Sequence, residues 1–190
     1  MIYFRNINDI EDYSGKEIWL IMRSVTGNLE KIAKLPNVHV VPELAPSEKL
    51  YTDFLLWKKK LEWGQEKFDN EYTPRFIYQL STDKKAQLKL LELCKRKDNS
   101  IYLCCACERE QMCHRIIIAR MLDQWGIPID VENVMHLKRR RKLPFSYLKN
   151  MQFVHEQTPF LVLDKVLHQR HNFQNKTVIR FLRINLQIFA

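Results

Sequence analysis

Between residues 103 and 115 the chain reads LCCACEREQMCHR, which gathers Cys104, Cys105, Cys107 and Cys113, four of its five cysteines, and sets His114 and Arg115 directly behind the last. Thiols so grouped serve core packing, metal ligation, redox exchange or attack by a thiolate. Spacing sorts these. Adjacent strand residues point to opposite faces, so Cys104 and Cys105 cannot join one site, whereas Cys105 and Cys107 share a face if the strand persists. Cys94 and Cys104 are expected to be small core hydrophobes, the commonest role of a free cysteine. A phosphatase-type loop needs Arg six positions after Cys. The residue six before Arg115 is Arg109, and no Arg stands six after Cys104, Cys105 or Cys107, so that chemistry is excluded.

Cys105, Cys107, Cys113 and His114 could hold zinc, but the spacings C-x-C and C-x5-C-H depart from the usual C-x(2–4)-C and no second knuckle exists. No metal and no cofactor is therefore assigned, and a zinc-stabilised domain stands as an alternative. An anion site fits better. Cys113 falls at a helix start, where free amides and the helix dipole favour negative charge and lower a thiol pKa. Cys105 or Cys113 would be the reactive thiol, with His114 as base or orienting group. Arg23, Ser47 and Arg115 would bind the ligand, the arginines bidentately. The ordinary alternative pairs Arg23 with Glu43 and Arg115 with Glu108 or Glu110.

The elements that must position these residues follow from periodicity. IWLIM (18 to 22) is a buried strand emptying into a polar loop at Arg23, and VHVV (38 to 41) is a second. Ser47 is placed to cap a helix over 48 to 63, with Leu50, Phe54, Trp57 and Leu61 on its apolar side. Two helical pieces around Pro74 follow, then an amphipathic helix over 83 to 97 with Leu88, Leu91 and Cys94 on one face. IYLCC (101 to 105) is the third strand, and a helix runs from Cys113 to Trp125, ending at Gly126. Alternating strands and helices argue for an α/β, Rossmann-like domain over 1 to 135, with a mostly parallel sheet flanked by helices and a basic C-terminal extension over 136 to 190. Ligands of such sheets bind beyond the strand carboxyl ends, where the loops after Arg23, after VHVV and after Cys105 should converge.

The net charge of +9 is not spread along the chain. Residues 1 to 135 hold 20 Lys/Arg and 20 Asp/Glu, whereas 136 to 190 hold 11 against 2. The excess is densest at Lys138, Arg139, Arg140, Arg141 and Lys142, next to Phe145 and Tyr147, an arrangement suited to phosphates and stacked bases and equally to a solvated loop. An anionic ligand or nucleic acid is the partner this implies. The longest apolar runs fall far short of the roughly 20 residues needed to span a bilayer. The odd cysteine count and the lack of a leader-like start point to a cytoplasmic protein with reduced thiols. Apolar segments after 150 offer a surface for homodimerisation. An enzyme and a non-catalytic binding module both remain compatible with these features.

LCCACEREQMCHRIIIARML, LAPSEKL (44 to 50) and LIMRS (20 to 24) together resemble the bacterial and phage family called domain of unknown function 488, over about residues 15 to 128. The resemblance implies a Rossmann-like fold and a Cys/Arg site at Arg23, Pro46, Ser47, Cys105, Cys113, His114 and Arg115. Ile21 stands where that family commonly carries an acid, and Glu43 is the nearest substitute.

Overall fold

A computed structural model describes residues 1–96, 100–107 and 110–130. The first strand, β1 (Ile2–Asn6), precedes the stretch expected to open the sheet. It was not anticipated because Arg5 and Asn6 interrupt its apolar pattern. Its buried residues alternate, Ile2 and Phe4, as a strand at a sheet edge requires. β2 (Glu17–Leu20) begins one residue before the expected apolar run and ends two before it does, and α1 (Asn28–Ile32) is a short helix beyond the polar loop. β3 (Val38–Val40) follows.

Ser47 caps α2 (Glu48–Lys59), its hydroxyl accepting from the Leu50 amide at 3.2 Å. That helix stops short of 63: Leu61 takes a positive φ of 59° and is 93% exposed, not part of the apolar face. α3 (Gln65–Lys67), a π-helical turn (Phe68–Tyr72) and α4 (Thr73–Thr82) then run end to end. Pro74 sits in the first turn of α4, directly behind the π-helical turn, so it does not separate the two helical pieces.

Asp83 caps α5 (Lys84–Lys95) through the amides of Lys85 and Ala86. The face it buries is Ala86, Leu90, Leu93 and Cys94, whereas Leu88 is 59% exposed. The expected face was rotated, because Leu90, Leu93 and Cys94 obey the i, i+3, i+4 rule and Leu88 lies across the helix from Leu90.

β4 (Ile101–Cys105) and α6 (His114–Gln124) complete the domain. Gly126, at φ 73°, lets the chain turn back so that the Ile127 amide bonds the Leu122 carbonyl at 2.9 Å.

The sheet is parallel throughout, in the order β1-β4-β2-β3. This is the α/β, Rossmann-like architecture expected, with four strands instead of three. Alternation divides the core. Phe4, Trp19, Leu103 and Cys105 face the larger cluster with α4, α5 and α6, while Ile18, Leu20, Val38 and Cys104 face the smaller one near α1. Nine successive residues of α6, His114 to Leu122, are buried, so this helix is enclosed on all sides. Residues 131 to 190 lie outside the described residues, and with them the basic run 138 to 142, the tail histidines and the dimerisation surface.

Candidate functional site

Because every strand runs the same way, the ends of all four deliver their loops to one edge of the sheet. Asn6 at the end of β1 pairs in register with Cys105 at the end of β4. The Asn6 side-chain amide also donates to the Cys107 carbonyl at 3.1 Å, which fixes the chain just beyond β4. After a 3-10 turn (Glu110–Met112), Cys113 becomes the N-cap of α6. Its sulfur stands where Ser or Asp usually does and accepts from the Arg115 amide at 3.4 Å.

The alternation of β4 carries Cys105 to the side of α6, and the two sulfurs Cys105 Sγ and Cys113 Sγ lie 3.2 Å apart. Nδ1 of His114 is 3.8 Å from Cys113 Sγ and 3.8 Å from Cys107 Sγ. The donor atoms of Cys105, Cys107, Cys113 and His114 all fall within 4.8 Å of one another. Arg115 Nε adds a second donor to Cys113 Sγ at 3.5 Å. Cys105 and Cys113 are each 1% exposed and His114 and Arg115 are also buried, leaving Cys107, half-buried, as the member nearest solvent. All five cysteines are unpaired thiols.

The ring of His114 is set by its other nitrogen. Nε2 lies 2.8 Å from the Ile21 carbonyl oxygen, just past β2. A carbonyl only accepts, so Nε2 carries a hydrogen and Nδ1 turns to the sulfurs. Phe76 supports the ring edge-on, with centroids 5.8 Å apart.

Two neighbouring thiols divide their behaviour. Burial raises the Cys105 thiol well above its ordinary range, and hydrogen bonds with Cys107 and Cys113 reinforce the rise. Burial pushes Cys113 upward too, but hydrogen bonds with Cys105 and Cys107 and the charge of His114 outweigh it and hold that thiol well below the usual range. His114 answers in kind: burial opposes its charge, yet the Cys113 thiolate and contacts with Cys107 lift it to about 10. Without a metal, these directions favour negative charge on Cys113 and positive charge on His114. Cys94 and Cys104, pushed up to about 12 by burial, are inert core thiols as expected.

Cys105, Cys113, His114 and Arg115 are brought together. Arg23 and Ser47 occupy the neighbouring loops and have other partners. Arg23 Nη1 donates to the Pro46 carbonyl at 3.2 Å, and its exposed guanidinium lies 3.9 Å from Glu48, where the ordinary alternative had named Glu43. Ser47 spends its hydroxyl on the α2 cap, and its amide donates to Gln79 Oε1 at 2.6 Å. The loops after β2 and β3 are therefore tied together, as the fold class implied.

Three contributors went unanticipated: the Ile21 carbonyl, Phe76, and Tyr72 on the π-helical turn. The Tyr72 ring stacks on Phe76, which in turn lies against His114, and burial raises the Tyr72 phenol. π-helical turns recur at functional sites, but FDNEY carries no local signal for one. Among the described residues no helix is long and apolar enough to cross a membrane. A family model described as DUF488-N3a, active DUF488-N3 subclade, matches residues 2–126. No curated protein and no solved structure matches the chain.

Proposed function

The chain belongs to the DUF488 family, and from the geometry of its cysteine cluster we propose that it acts on an anionic ligand of the nucleotide or nucleic-acid class through a thiolate on Cys113. The observation that carries this is the setting of Cys113 Sγ, which accepts two N–H groups from Arg115 and faces Nδ1 of His114. A thiol whose pKa is held down in this way supplies a nucleophilic thiolate more readily than a free cysteine does. His114 then serves as the acid that returns a proton to a leaving group. Arg23, exposed on the adjacent loop, draws the anion in, and Ser47 lies beside it. Cys105 keeps its proton and acts as the hydrogen-bond partner of the thiolate. The basic run 138 to 142 extends the same preference to a polyanion.

Iodoacetate and iodoacetamide, an anionic and a neutral electrophile of similar size, test this reading on chelator-treated protein. Cys113 should be labelled faster by the anion, and Arg23→Ala combined with Arg115→Lys should abolish the preference. Equal rates, or labelling confined to Cys107, would overturn it.

A further inference from the structure

We propose that Cys105, Cys107, Cys113 and His114 form a binding site for a single thiophilic divalent cation of the zinc class, with three sulfur ligands and Nδ1 as the fourth. The proposal rests on the placement of the four donor atoms, and a bound cation would itself displace the thiol protons.

The donor set comes first. Three sulfurs and an imidazole nitrogen within 4.8 Å of one another are the ligand types and number of a closed tetrahedral zinc centre. Bond lengths of about 2.3 Å to sulfur and about 2.1 Å to nitrogen put tetrahedral ligand edges at about 3.5 to 3.8 Å. The Nδ1 separations from Cys107 Sγ and Cys113 Sγ, each 3.8 Å, already lie near these edges, and donor pairs within 4.8 Å would close by up to about 1 Å. The pair Cys105 and Cys113, at 3.2 Å, would open by about half an ångström.

The orientation of the histidine points the same way. Its Nε2–H is committed to the Ile21 carbonyl at 2.8 Å, the outer hydrogen bond that metal-bound histidines characteristically make. Nδ1 is thereby aimed at the sulfurs, and a cation would take the place of its proton. Charge also balances. Three thiolates and a divalent cation sum to −1, and buried Arg115, donating from its amide and Nε to Cys113 Sγ, supplies +1. The ligands come from two rigid sources, the end of β4 and the N-cap of the enclosed helix α6, with half-buried Cys107 marking the way in.

The full chain, expressed with added zinc and purified with reductant, should carry about one zinc per chain by elemental analysis. Cobalt exchanged into it should show intense tetrahedral bands in the visible and a thiolate-to-metal charge-transfer band. Cys107→Ala, which removes a half-buried ligand with little packing, should weaken metal affinity at least about tenfold. Cys104→Ala, on the opposite face of the sheet, should leave it unchanged. Absence of zinc and cobalt in the reduced protein would overturn the proposal, as would an unaltered affinity in Cys107→Ala or a Cys105–Cys113 disulfide that returns to metal-free thiols on reduction. Metal binding without the iodoacetate preference of the chelated protein would retain this site and remove the functional reading above. That preference without metal binding would do the reverse.

Discussion

Nε2 of His114 lies 2.8 Å from the carbonyl oxygen of Ile21, so one hydrogen bond ties the first residue of α6 to the end of β2. It fixes the tautomer and aims the other ring nitrogen at three sulfurs. His114→Ala should remove this donor and leave a buried carbonyl unmatched, at a cost of about 1 to 3 kcal/mol in urea unfolding. His114→Gln, which can offer an amide N–H instead, should lose less. Equal stability of His114→Ala and the parent chain would show that the bond does not hold the loop.

Cys104 and Cys105 are neighbours in sequence but belong to different clusters. Cys104→Ser places a hydroxyl among Ile18, Leu20 and Val38 and should cost about 1 to 3 kcal/mol, with Cys113 labelling unchanged. Cys113→Ser should eliminate labelling at that position while the chain remains folded, since Ser is itself a favoured N-cap. Mass spectrometry of the labelled peptides separates the two outcomes.

Gly126 closes α6 at φ 73°, and a Cβ there would meet nothing within 4 Å. The cost of Gly126→Ala is therefore conformational, not steric, and should be about 1 kcal/mol in the unfolding free energy. A stability gain would contradict the left-handed turn.

Metal affinity should fall as pH is lowered. Cation binding must displace protons from the thiols and from Nδ1, so between about pH 8 and about pH 6 each step down favours the protonated ligands. Cobalt absorbance titrated across that range should lose its visible bands toward acid and regain them on return. Bands that persist undiminished at about pH 5 would argue against thiolate ligands.

The basic run makes a separate prediction from charge alone. Replacing Lys138, Arg139, Arg140, Arg141 and Lys142 by Gln should weaken single-stranded nucleic acid binding and reduce the slope of log K against log salt by up to about 3.5, near 0.7 per phosphate contact. An unchanged slope would remove this segment from the interface.

Much of this site could be read locally. Strand alternation sends Cys104 away from Cys105, and the apolar face from Ile116 onward places Cys113 at a helix start. Ser47 announces its cap, and the alternation of strands and helices dictates a parallel sheet whose loops meet at one edge. Such features depend on side-chain type at short spacing, which is what a sequence displays. The others depend on contacts between distant segments. A backbone carbonyl has no residue identity, so nothing at Ile21 marked it as the acceptor for a histidine 93 residues away. β1 is recognisable only once β4 lies beside it to satisfy its amides, and the family match from residue 2 takes it in. The C-x-C and C-x5-C-H spacings depart from the usual knuckle, and the closeness of their donor atoms comes from a strand end and a helix cap meeting in space, which spacing along a chain does not display. Sequence alone determined which thiols could face one another; the packing of α6 against the sheet decided how close they stand, because only a buried helix with a fixed axis sets that distance.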